Sequence, residues 1–236
     1  MSVDVVVDGD RADVVLNRPD KLNALDFPMF DALAGACEEV HAAGVKVVVV
    51  RGAGRSFCSG IDLGALGEGA GDPKATIARA QAGFRALAGL PMPTVAAVHG
   101  YALGAGLQIA LACDVRIVTA DATLGLLEVG YGIVPDLGGT QRLPPLVGPG
   151  VAKQMIWLAE KIDGSEAGRR GLAEIVVEPA GLDEAVGDLA LRLAEIDPPA
   201  AAAAKRLVNL AGTVPLEDGM DAEAAEQAQL LGRLRL

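Results

Sequence analysis

The chain is poor in aromatic residues: one Trp, two Tyr and four Phe make up 3% of its 236 positions. A surface that stacks nucleobases draws on such side chains, so this composition argues against one. Positive charge is also scarce. Twenty Lys and Arg stand against 31 Asp and Glu, giving a net charge of −11 and a sequence pI of about 4.6. Nucleic acid requires a basic face, and no nucleic-acid partner is expected. Backbone N–H groups at helix starts still allow a phosphorylated small ligand. The three cysteines, Cys37, Cys58 and Cys113, are odd in number and lack metal-type spacing, and only His41 and His99 could join them. No metal site is expected, and the thiols read as small buried groups in a reducing compartment. Long apolar runs are missing too. None approaches the roughly 18–20 residues that cross a bilayer. The opening Met1-Ser-Val-Asp4 has no basic region ahead of an apolar stretch. No membrane association and a cytoplasmic location are expected.

Apolar residues make up 51% of the chain, enough for one substantial core. Residues 3–7 and 14–17 are β-branched runs around Asp-Gly-Asp-Arg and predict a hairpin. Met29, Leu33, Ala36, Cys37 and Val40 recur at helical spacing, and Gly44 stops that helix. Residues 45–51 form a continuous apolar strand, expected to be buried on both faces and parallel to its neighbours. Residues 52–66 read as a loop, and the glycine-rich 64–72 stretch is expected to be mobile. A helix over 74–90, a strand over 94–99, a helix over 104–113 and a strand over 114–120 follow. This alternation indicates an α/β architecture. Beyond Gly148-Pro149-Gly150 the chain becomes Ala-rich and mainly helical, with one strand near 174–177. The expected division is a core over 1–148 and a helical region over 149–236.

Three stretches have the composition for chemistry: Arg55-Ser-Phe-Cys-Ser-Gly-Ile-Asp-Leu63, residues 99–114 and residues 125–143. In the second, a buried strand feeds a glycine-rich turn that opens a helix. Such a turn aims unpaired N–H groups at an anion or a developing oxyanion. A dinucleotide site fits poorly, because the third glycine position holds Ile109, and Gly-Lys-Ser/Thr is absent. Cys58 could be read as a nucleophile, but no histidine lies near it in sequence, which favours a packed thiol. The third stretch holds Glu128 and Asp136, eight residues apart. Glu128 lies in an apolar run, where an unpaired charge is costly and a proton-exchanging carboxyl is at home. Asp136 precedes a helix expected over 139–146, where it could equally be a simple N-cap.

Asn23-Ala-Leu25, Phe57-Cys-Ser-Gly-Ile-Asp-Leu63, Gly100-Tyr-Ala-Leu-Gly-Ala-Gly106, Ala112-Cys-Asp-Val-Arg116 and Gly138-Gly-Thr-Gln-Arg-Leu143 follow one another in the order and spacing of a known family. Together they closely resemble the crotonase superfamily of enoyl-CoA hydratases and isomerases. The resemblance implies a spiral core of ββα repeats followed by a helical trimerisation region. It also implies a homotrimer, or a hexamer built as a dimer of trimers, and acyl-CoA thioesters as substrates. Coenzyme A is then the substrate's handle, and no other cofactor is needed. The family's oxyanion-hole N–H groups fall on Ile61 and Ala105. Lys21, Asn23, Ala24, Ser59, Asp62, Leu63 and Gly104 fall at substrate- and CoA-binding positions. Hydratases of the family use two glutamates. The second falls on Glu128, but the first falls on Gln108, which cannot exchange a proton at neutral pH. In the dienoyl-CoA isomerase branch a Glu and an Asp eight positions apart shuttle the proton, as Glu128 and Asp136 would. Family members also commonly continue past this point with an acidic segment and a terminal helix. Here the sequence ends Gly232-Arg-Leu-Arg-Leu236, so part of the adenine-side cover is expected to be missing or supplied differently.

The expected chemistry is therefore migration of a carbon–carbon double bond. The thioester carbonyl would sit between the N–H groups of Ile61 and Ala105. Glu128 and Asp136 would move the proton, and Gln108 would hold a substrate atom or a water. Hydration by Glu128 with a Gln108-held water, and acyl-CoA binding without catalysis, are the alternatives.

Overall fold

A computed structural model describes residues 2–62, 64 and 72–234. Residues 65–71, which make up most of the stretch expected to be mobile, lie outside it, as does Leu63. The order begins β1 (Val3–Asp8), β2 (Arg11–Leu16), α1 (Phe27–Ala43), β3 (Val47–Gly52) and α2 (Pro73–Gly89). It continues with β4 (Thr94–Val98), β5 (Tyr101–Leu103), α3 (Ala105–Ala112), β6 (Val115–Thr119), β7 (Thr123–Gly125) and α4 (Gly139–Val147). Then come α5 (Pro149–Trp157), β8 (Ile162–Asp163), α6 (Gly164–Arg169), β9 (Ile175–Val177), α7 (Leu182–Ala194), α8 (Pro198–Leu210) and α9 (Leu216–Arg233).

Two sheets share these strands. One runs β1-β2-β3-β4-β6-β9, with the first pair antiparallel and the rest parallel; the other runs β5-β7-β8. Pairs of strands followed by a helix (β1, β2, α1; β4, β5, α3; β6, β7, α4) make the ββα repeat that the motifs implied. The long valine run obeys the strand period of two. Val48 and Val50 enter the core shared with α1, α2 and α3, while Val47 and Val49 face Leu182, Val186 and Ala190 of α7. A parallel strand covered on both sides has no solvent face, so its sequence shows no alternation.

Past residue 148 the chain still builds the core. Ala152, Met155, Ile162, Ala167, Leu172 and Ala173 belong to the main cluster, and β8 and β9 close the edges of the two sheets. The helices α8 and α9 contribute to neither cluster among the described residues. The two-residue β8, the three-residue β5 and the short α6 are additions to the expected element order. Each is too short to show a periodicity.

The turn before α1 is braced from inside. Asn23 is fully buried in a left-handed conformation (φ 57°). Its Oδ1 accepts from Arg18 N at 2.8 Å, and its Nδ2 donates to the Ala53 and Ser56 carbonyls at 2.9 and 2.7 Å. Arg18 in turn donates to the Ala24 carbonyl and pairs with Asp26 and Asp62. Asn23→Ala would strand one buried and two partly buried backbone groups, each worth about 1–3 kcal/mol when fully buried and partly recovered by relaxation. The expected loss of stability is about 2–4 kcal/mol, read from the urea midpoint at constant m-value.

Candidate active site

The site begins where β4 ends. The chain turns at Gly100, adds β5 to the second sheet, and enters α3 through Gly104, whose φ of 52° and ψ of −120° favour glycine. The 56–62 segment runs alongside. Cys58 N donates to the Tyr101 carbonyl at 2.8 Å, and Leu103 N donates to the Cys58 carbonyl at 3.1 Å. Further on, Leu25 N donates to the Gly60 carbonyl and Asp62 N to the Leu25 carbonyl, both at 2.8 Å. This parallel bridge uses the groups on either side of Ile61 and turns Ile61's own N–H away from Leu25. Ala105 opens α3, so its N–H has no intrahelical acceptor. Neither N–H finds an acceptor among the described residues. The two segments are close: a Cβ built on Gly60 would lie 4.0 Å from Ala105 N. Ile61 and Ala105 line one cavity of about 270 Å³ with Ser59, Gly104, Glu128 and Tyr131. Two residues with unused backbone N–H groups thus line one space, and such donors have the chemistry to hold an oxygen that gains charge.

Glu128 starts a short 3-10 turn after β7 and is 8% exposed. Its Oε1 accepts from Gln108 Nε2 at 2.7 Å, and its Oε2 is buried with no hydrogen-bond partner within 3.5 Å among the described residues. Burial lifts its carboxyl above the ordinary 4.5, the pull of its own backbone N–H and the Gln108 hydrogen bond oppose that, and the charge of Asp136 adds to it. Asp136 is half-buried, and burial lifts it too. It lines a small apolar cavity of about 90 Å³ with Leu25, Phe27, Phe30, Ile61 and Ile77. Ile61 lines both spaces, one carrying Glu128 and the other Asp136. Asp136 is not an N-cap: α4 begins after Gly138, and no side chain caps it.

The family model for enoyl-CoA hydratase/isomerase matches residues 11–232. The chain belongs to this family. The short-chain-enoyl-CoA hydratase of Clostridium acetobutylicum is 39% identical over 210 residues, covering 86% of this chain and 78% of that protein. The (E)-benzylidenesuccinyl-CoA hydratase of Thauera aromatica is 36% identical over 222 residues, covering 93% and 87%. Among solved structures, an enoyl-CoA hydratase of Bacillus anthracis superposes with a TM-score of 0.93 at 31% identity, covering 99% and 92%. A Thermobifida fusca YX protein described as an enoyl-CoA hydratase, in complex with acetoacetyl-CoA, superposes with a TM-score of 0.93 at 37% identity, covering 99% and 96%. The crotonase-type fold expected from the motifs is thereby shown.

Against this family frame, the residues singled out in the sequence divide. Ile61, Ala105, Gly104, Ser59 and Glu128 share a cavity, and Asp136 lines the other cavity that Ile61 also lines. Lys21 is exposed beside them, its carbonyl accepting from Ser59 Oγ at 3.4 Å. The Asn23 side chain is spent on the turn, and Ala24 is buried next to it. Asp62 is held by Arg18 at 3.2 Å and by Gly64 N at 3.1 Å, so it shapes the loop. Gln108 is also tied up within the protein: its Oε1 accepts from Leu137 N and Gly139 N at 2.8 and 2.9 Å. It therefore offers no acceptor to a water. Cys58 is buried, with its thiol pushed up to about 12, which suits packing and not nucleophilic attack. Phe27, Phe30 and Tyr131 line the cavities but were not anticipated; two Phe three apart at the start of α1, in a chain so poor in aromatics, were the available signal.

A raised carboxyl has a definite effect on stability. An acid whose folded-state pKa exceeds its unfolded value keeps its proton in the fold after the unfolded chain has released it. Stability then falls as pH rises from the ordinary 4.5 through the raised value. In Glu128→Gln this titration is absent. Urea midpoints of wild type are expected to drop relative to the variant as pH climbs above 4.5, and the two curves should run parallel below it.

Proposed function

We propose that this protein moves a carbon–carbon double bond along the acyl chain of an enoyl-CoA thioester. The observation that carries this reading is the placement of two burial-raised carboxyl groups in the two cavities that Ile61 lines. Ile61 and Ala105, whose N–H groups are unused, both line the Glu128 cavity. In this reading the thioester oxygen takes both N–H donors. Ionised Glu128 removes a proton from the carbon next to the carbonyl, and the electron pair moves onto the thioester oxygen as an enolate. Protonated Asp136, farther along the acyl chain, delivers a proton to a more distant carbon while the electrons return. The double bond moves, and no atom is added. Burial raises both carboxyls above their ordinary values, the direction that favours proton exchange.

Hydration is the second reading, and the hydratase names of the relatives favour it. Glu128 would then act on water without help from the Gln108 carbonyl. A homotrimer or hexamer in the cytoplasm is the accompanying proposal. The exposed Val208, Leu216, Met220 and Leu231 of α8 and α9 are apolar surface for such contacts.

Incubation with 2-enoyl- and 3-enoyl-CoA in heavy water separates the readings. Isomerisation yields a shifted double bond with deuterium in the chain, hydration yields a gain of one whole water, and a pure binder yields neither while retaining ligand. Asp136→Asn is expected to slow isomerisation by about 10²-fold or more; a full rate in that variant reassigns Asp136 to a structural role. Ala105→Pro tests the oxyanion site. Proline is tolerated at the first helical position, and it replaces the N–H with a ring carbon, so kcat/KM should fall by at least about 10²–10³-fold while the fold, followed by circular dichroism, is retained.

A further inference from the structure

Gln108 lies on α3 one turn after Gly104 and is 1% exposed. Its side-chain hydrogen bonds all run inside the protein. Oε1 accepts from Leu137 N and Gly139 N, and Nε2 donates to Glu128 Oε1. Donor chemistry dictates this orientation. Two backbone N–H groups need an acceptor and a carboxylate oxygen needs a donor, so a flipped amide would fail at all three contacts. Packing closes around it: a Cβ on Gly139 would come within 3.0 Å of Oε1 and 3.1 Å of Cδ. The segment it grips is tied from the opposite side as well, where Gln81 Nε2 of α2 donates to the Asp136 carbonyl at 2.5 Å.

We propose that Gln108 is a positioning residue that sets Glu128 and Asp136 in one frame and decides which Glu128 oxygen carries the proton. Its amide N–H occupies Oε1 whether or not Glu128 is protonated. The mobile proton is thereby confined to Oε2, the buried oxygen left without a partner. Leaving a buried carboxylate oxygen unpaired is costly in a resting protein, and that cost is relieved when a proton or a substrate C–H arrives. Its carbonyl meanwhile pins the N–H groups of Leu137 and Gly139, directly after Asp136, and so fixes Asp136 at the apolar cavity. The charged group acting on Glu128 is Asp136. This inference rests on the proton-shuttle reading above.

Two substitutions divide the clamp. Gln108→Met removes both halves. Gln108→Glu keeps an oxygen for Leu137 and Gly139 but cannot donate to ionised Glu128. The first readout needs no turnover: the infrared carboxylic-acid band that is lost in Glu128→Gln, followed as a function of pH. In Gln108→Met that band should persist to higher pH than in wild type, because the hydrogen bond favouring the ionised form is gone. Its kcat should fall about 10²-fold, the scale of an ångström-level misplacement, with KM little changed and the kcat–pH limb moving with the band. In Gln108→Glu the band should also move upward, through like-charge repulsion; this isosteric variant carries the test if Gln108→Met does not fold. An unmoved Glu128 band in the folded variants overturns the proposal, whatever happens to kcat. If the band moves as expected but wild type isomerises no enoyl-CoA, the clamp stands and the shuttle reading fails.

Discussion

Where α3 begins, its backbone lies directly against the 58–60 segment. A Cβ on Gly106 would stand 2.2 Å from the Cys58 carbonyl oxygen, and one on Gly60 would stand 3.0 Å from that of Leu103. No side chain fits between these strands of backbone. The approach brings Ile61, which sits in a parallel bridge, and Ala105, which opens a helix, to one cavity. Both donors arise from irregular backbone held by regular neighbours, so their positions are set by the two sheets and not by mobile side chains. Asn23 and Arg18 extend the same logic outward: they spend buried polar groups on holding the 53–62 loop against the turn before α1.

Burial does the second half of the work. Glu128 and Asp136 sit where water is partly excluded, and both carboxyls rise for that reason. A second carboxylate at position 108 would have faced Glu128 directly across a 2.7 Å contact. A neutral amide there instead donates to one carboxyl and accepts from the loop that carries the other. The consequence is a division in space: one acid in the cavity lined by Ala105, the other in the apolar cavity lined by Phe27 and Phe30, and a non-titrating link between them.

Much of this was legible in order of residues. The valine run 45–51, the helix opened by Gly104 and the strands that alternate with helices appear as expected, because each has a period or a capping residue that acts locally. Elements of two or three residues, β5 and β8, were not legible, since their existence depends on partners: Tyr101 finds Thr123, and Leu124 finds Ile162. Side-chain roles read from motif position were less secure. Asn23 and Gln108 occupy the expected places yet direct their polar atoms to nearby unpaired backbone groups, and Asp62 pairs with the Arg18 side chain at the partly exposed rim.

Order and spacing alone identified the family resemblance, the candidate carboxyls Glu128 and Asp136, and the glycines that let backbone segments approach. These are properties of residue type at a position, and they survive without coordinates. Only the tertiary structure decided that Ile61 lines the cavities of both acids and that Gln108 bonds both Glu128 and the segment just after Asp136. Each depends on which groups meet across separations of 20 or more residues, where hydrogen-bond direction and burial are set by packing that no local pattern encodes.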